Sequence, residues 1–63
     1  MKRILLTKEV AQILRISEEH VRSLIRKRKL KAHKEGHRGG FRIPEDEVTK
    51  YIKGKQEELW RKN

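Results

Sequence analysis

Apolar residues recur along this chain in three copies of one spacing. Val10, Ile13 and Leu14 stand at i, i+3 and i+4, Val21, Leu24 and Ile25 repeat the set, and Val48, Tyr51 and Ile52 give it a third time. Such a triplet puts its side chains on one helix face and turns that face toward a core. It predicts helices over residues 8–14, from residue 18 onward and from residue 45 onward. Leu30 with Ala32, and then Phe41 with Ile43, alternate instead with polar residues, the period of a half-buried strand. Gly36, Gly39 and Gly40 lie between the two pairs and mark a turn, so residues 30–43 read as a β-hairpin. A two-stranded hairpin is not stable by itself, so Phe41 and Ile43 are expected to pack on the helices.

The residues between these segments supply the boundaries. Thr7 suits an N-cap, with Glu9 in the first turn where the helix dipole favours an acid. Ser17 suits the next N-cap, and Ile16 and Val21 flank it at the spacing of a hydrophobic staple. Only Arg15, Ile16 and Ser17 separate the two helices, which describes a helix-turn-helix. Such turns often place glycine where the chain goes left-handed; here that position falls on Arg15, at a cost of roughly 1 kcal/mol. The second helix runs into Arg26-Lys27-Arg28-Lys29, more cations than a helix end requires. Pro44 stops the second strand, Glu45, Asp46 and Glu47 open a third helix, and Gly54 reads as its stop. Residues 1–54 then form the domain and 55–63 a tail. Within the tail, Leu59 and Trp60 either cover the small core or dock on a partner protein. The expected fold is mainly α with a small β-hairpin: a winged helix-turn-helix of three short helices plus a two-stranded wing.

Composition narrows the function. A chain of 63 residues makes one domain that hides only about 60% of its unfolded surface. It has no cysteine, which excludes disulfides and thiolate metal sites and fits a reducing compartment. No apolar run approaches a membrane span, and Ile4-Leu5-Leu6 is too short for a signal-peptide core, so a cytoplasmic, nucleoid-associated protein is expected. The net charge of +9 is unevenly placed: residues 1–30 carry +6, residues 31–43 carry +3, and residues 44–63 are neutral. A basic field confined to part of a small domain is the footprint of a nucleic-acid binder. Phosphate contact is expected from Lys27, Arg28 and Lys29, while Gly36, Gly39 and Gly40 would let backbone approach a phosphate, with His37 and Arg38 in reach of a minor groove. Arg22 or Arg26 could donate two bonds to guanine, and Glu19 could accept from cytosine N4.

Other chemistry finds little support. There is no phosphate-cradling glycine loop of the nucleotide-binding kinds. His33 and His37 have the spacing of half a zinc site, without cysteines to complete it. The expectation is a non-enzyme with no cofactor, no metal and no small-molecule ligand. An RNA- or protein-binding adaptor is the alternative from another class, but Phe41 and Tyr51 have core spacings and leave few aromatic platforms for single-stranded RNA.

The segments LLTKEVAQIL, RISEEHVRSLIRKRKLKAH and FRIPEDEVTKYI, taken in order, resemble the excisionase-family, MerR-like winged helix-turn-helix domains over about residues 4–53. The resemblance implies a second helix in the major groove and a hairpin on the adjacent minor groove. By position, the major-groove set would be Ser17, Glu19, His20, Arg22, Ser23, Arg26 and Lys27. Backbone contacts would fall to Thr7, Lys8, Arg15, Arg28 and Lys29, and wing contacts to Lys34, Gly36, His37, Arg38, Gly39, Gly40 and Arg42. This sequence departs from the pattern in Arg15 and in a wing about two residues longer. Small members of the family are often recombination directionality factors, which bend DNA beside a tyrosine-type integrase and favour excision of a mobile element. Others are transcriptional regulators. Longer MerR-type regulators append a dimerisation helix and an effector domain. A chain with neither suits cooperative self-association on clustered DNA sites, so the first role is the expectation.

Overall fold

The first helix begins where Leu6 is still extended, at φ −91° and ψ 161°. The computed structural model describes residues 3–35 and 40–61. Helix α1 spans Thr7–Leu14. Leu6, not Thr7, takes the N-cap position. It has no side-chain oxygen to offer; instead the Glu9 carboxylate turns back and accepts from the Leu6 N–H at 2.9 Å. Glu9 also pairs with Arg3 at 3.4 Å, tying the incoming chain to the first turn.

The turn goes where the sequence requires it. Arg15 is left-handed, at φ 59° and ψ 44°. The Ile16 N–H donates to the Ala11 carbonyl at 3.0 Å, the six-to-one bond of a Schellman ending. Helix α2 spans Glu18–Arg26, and the Ser17 hydroxyl accepts from the His20 N–H at 3.0 Å, as a capping serine should. The helix stops earlier than its basic run implies. Arg28 is left-handed at φ 60°. Its N–H donates to Ile25 at 3.0 Å and that of Lys29 to Leu24 at 2.9 Å, a second Schellman ending. Lys27, Arg28 and Lys29 therefore form a turn and not a last helical turn.

Among the described residues, three strands and not two make the sheet. The hairpin pairs β2 (His33–Glu35) with β3 (Gly40–Pro44), so Leu30 and Ala32 lie ahead of the strand that was expected to contain them. A further strand, β1 (Ile4–Leu6), pairs antiparallel with the other side of β3, giving the order β1-β3-β2. Leu5 lies opposite Ile43, and both are buried. Their neighbours Ile4, Leu6 and Arg42 alternate to the other face, as the period of two demands, and Ile4 and Leu6 stay exposed.

Helix α3 spans Glu45–Arg61 with its three acids in the first turn. Its start is tied to the sheet by the Glu45 N–H, which donates to the Arg3 carbonyl at 2.9 Å. Gly54 does not stop it; the helix continues for two further turns, and residues 53–58 are exposed. A single internal glycine costs a helix about 1 kcal/mol, too little to end one anchored by the Val48, Tyr51 and Ile52 face. The side chains of Leu59 and Trp60 lie outside the described part of the structure.

The core is one cluster: Leu5, Val10, Ala11, Val21, Leu24, Leu30, Ile43 and Val48, with Leu14, Ile16, Ile25, Ala32, Phe41, Tyr51 and Ile52 packed around it. Ile13 is the exception to its triplet. It is 51% exposed, and Ala11 is buried in its place. Packed this way, α2 has one face fixed in the core and the other turned to solvent.

Candidate nucleic-acid interface

Burial fixes which way α2 faces. Val21 and Leu24 are buried and Ile25 is half-buried. At about 100° per residue, the opposite side carries Glu19 and Arg26 almost in line, with Ser23 and Arg22 flanking them. Glu19 and Arg26 are exposed, and Arg22 and Ser23 half-buried.

One carboxylate joins this face together. Glu19 accepts from Arg26 Nη2 at 2.7 Å and from Arg22 Nε at 3.1 Å. Glu18 lies 3.9 Å from Arg22 Nη1, an ion-pair distance beyond a hydrogen bond. The hydrogen bonds from Arg26 and then Arg22 hold the Glu19 carboxyl below its ordinary 4.5. The two guanidiniums therefore stand side by side on a rigid helix, and their planar forks match the O6/N7 edge of guanine.

The remaining expected major-groove residues are spread around this row. Ser17 spends its hydroxyl on the cap. His20 turns toward a shallow depression lined by Leu14, Ile16, Tyr51 and Ile52, off the Glu19–Arg26 row. Lys27 is exposed just past the end of α2. Among the expected backbone contacts, Thr7 and Lys8 begin α1 and Arg15 follows its end, about 12 Å apart along the axis. Lys8 and Arg15 are exposed and Thr7 is half-buried.

Arg28 and Lys29 enter a groove between the turn and α3, together with Lys31, Lys50 and Lys55. Glu47 and Glu58 also line it, and pair with Lys50 and Lys55 at 3.6 Å each. Lys31, Lys50 and Lys55 were not among the sequence candidates. The neutral charge of residues 44–63 hid the two lysines, because their acids cancel them in a sum while the helix sorts them by face.

In the wing, Lys34 and Gly40 are exposed, and Lys34 lies opposite Phe41. Arg42 lies opposite His33 on one side and Leu6 on the other, at the base of the hairpin and not its tip. Gly36, His37, Arg38 and Gly39 lie outside the described residues.

A helix-turn-helix with one exposed, arginine-bearing helix face and an antiparallel hairpin defines a class of DNA-binding module. The helix-turn-helix domain family model matches residues 4–56, and the chain belongs to that family. Membership supports DNA as the partner. No curated protein and no solved structure matched the chain. No described helix is long and apolar enough to cross a membrane.

Proposed function

We propose that this protein is an architectural, sequence-specific DNA-binding factor of the excisionase type, which bends its site and promotes integrase-mediated excision of a mobile element. It acts by binding, without catalysing a reaction. The observation that carries the DNA reading is the outward row of α2, where Arg22 and Arg26 are held side by side. On this reading α2 enters the major groove, each arginine donates to guanine, and Lys27, Arg28, Lys29 and the wing neutralise phosphates. Specificity from the wing comes through groove shape, because a deformable duplex bends at lower cost.

The integrase part is supported by the resemblance of residues 4–53 to excisionase-type domains and by α3, whose exposed stretch 53–58 leads away from the core toward Trp60. A promoter-bound transcriptional regulator would use the same DNA face. The length of α3 is also what favours that second reading, since a projecting helix can pair with its copy.

Footprinting across the genome of the host separates these. Occupancy of clustered sites beside the attachment end of a mobile element is the expected result. Occupancy confined to promoters refutes excision in favour of regulation, and no localised DNA signal refutes both.

A further inference from the structure

Glu19 has a different task from the base contact its position suggests. It lies three residues before Arg22 and seven before Arg26, so all three side chains project from one strip of α2. Its two oxygens are both engaged, Oε1 by Arg22 Nε at 3.1 Å and Oε2 by Arg26 Nη2 at 2.7 Å. A carboxylate used in this way is a poor reader of cytosine but a good holder of two guanidiniums.

We infer that Glu19 is a positioning residue that sets the specificity of α2, by holding Arg22 and Arg26 together and opposing their capture by phosphate. The inference rests on the DNA-binding reading above. Its physical basis is a competition. A phosphate offers an arginine charge and acceptor oxygens, and Glu19 already supplies each arginine with the opposite charge and one acceptor, so the exchange gains less than it would for a free arginine. Bringing the Glu19 carboxylate near a phosphate adds like-charge repulsion, which penalises a loosely seated duplex. A guanine offers a neutral, directional pair of acceptors that a held fork can meet without expelling Glu19. Discrimination then comes from the carboxylate as much as from the arginines it holds.

Glu18 supplies the control. It carries the same charge one residue earlier, but lies 3.9 Å from Arg22, and the Arg26 ion pair goes to Glu19 instead. Glu18→Gln and Glu19→Gln therefore change the net charge equally and differ in what they release.

The experiment selects a preferred duplex from a randomised pool with the wild-type protein. It then measures the affinity of wild type, Glu18→Gln and Glu19→Gln for that duplex and for a scrambled one. Circular dichroism checks that both variants keep their helices. Glu18→Gln is expected to strengthen both duplexes alike, leaving their ratio within about twofold. Glu19→Gln is expected to strengthen the scrambled duplex far more than the selected one, lowering the ratio by roughly tenfold. Reselection with Glu19→Gln should also flatten the guanine preference. In the free protein, the Arg22 Nε–H and Arg26 Nη2–H signals should exchange faster with solvent in Glu19→Gln than in Glu18→Gln, a readout that a purely structural role would not move. Equal ratios in the two variants, or a ratio unchanged by Glu19→Gln, overturn the inference while leaving DNA binding intact. Failure of the wild type to enrich any duplex overturns the DNA reading and this inference with it.

Discussion

Val10 and Ile13 occupy the same apolar triplet of α1, and the structure assigns them opposite energetic weights. Val10 is fully buried, whereas Ile13 is 51% exposed. Truncating Val10 to alanine removes two methyl groups, worth about 1.6 kcal/mol at roughly 0.8 kcal/mol per buried carbon. The cavity left behind adds to that, and the better helix propensity of alanine returns a few tenths, leaving about 1.5–2 kcal/mol. A domain of this size has only roughly 3–9 kcal/mol in total, so the loss is a large fraction of it. Each kcal/mol shifts the midpoint of a small domain by about 4–8 °C, so Val10→Ala should melt about 6–16 °C below wild type. Ile13→Ala loses little burial and gains helix propensity, and should stay within about 0.5 kcal/mol of wild type. The assay is thermal and urea unfolding of both variants, followed by circular dichroism, with equal m-values required for comparison. Equal destabilisation by the two substitutions would refute the packing of α1 described above.

Ser17→Ala should cost about 1 kcal/mol and speed hydrogen exchange at the His20 amide, since the cap bond at 3.0 Å is lost. Gly54→Ala should stabilise by up to about 1 kcal/mol, because the helix passes through this residue and an added Cβ meets nothing within 4 Å. A loss of stability would place the end of α3 at Gly54 after all. Arg28→Gly relieves a left-handed backbone at φ 60°, worth about 1–2 kcal/mol before the added freedom of the unfolded glycine takes part of it back. Stability should therefore hold or rise while duplex affinity falls and its salt dependence flattens; unchanged affinity would remove Arg28 from the phosphate contacts. The depressed Glu19 carboxyl gives the folded state an advantage above the unfolded pKa that is lost as pH falls through the folded one. A side-chain carboxyl titration by nuclear magnetic resonance should show Glu19 protonating below the ordinary glutamate value of 4.5, and a midpoint at or above that value would refute the Arg26 and Arg22 bonds.

What was legible in the sequence was local. Three triplets gave three helices, Ser17 gave its cap, and the short connection forced the left-handed residue onto Arg15. Each of these depends on residues within one or two turns of one another. Strand β1 was not legible, because Ile4, Leu5 and Leu6 show no alternation. What makes them a strand is pairing with β3 nearly forty residues away. The same pairing explains why Leu5 is buried between two exposed neighbours. Ile13 was misread for a related reason: a triplet defines a face about 100° wide, and α1 is rolled so that Ala11 lies at the inner edge and Ile13 at the outer one. Gly54 carried a local stop signal that the anchored helix overrode. In the interface, the α2 row could be read from spacing, but its ion pairs could not, because a carboxylate three residues from one arginine and seven from another has several possible partners until the side chains are placed.

The two left-handed arginines connect the fold to the proposed function. Arg15 and Arg28 close the two Schellman endings, one on each side of α2, and glycine would satisfy both backbones at lower cost. Both are exposed, so neither is there to fill the core. Strain of about 1–2 kcal/mol at each is a substantial charge on a domain with little stability to spare. Local rules are broken most often where a side chain is needed for work other than folding. A cation fixed at each end of a helix whose middle carries Arg22 and Arg26 fits a duplex whose phosphates flank the bases being read. On the proposed function, the turns that build the helix-turn-helix would also set the span over which it grips DNA, with Arg15 and Arg28 as the phosphate contacts to test at its two ends.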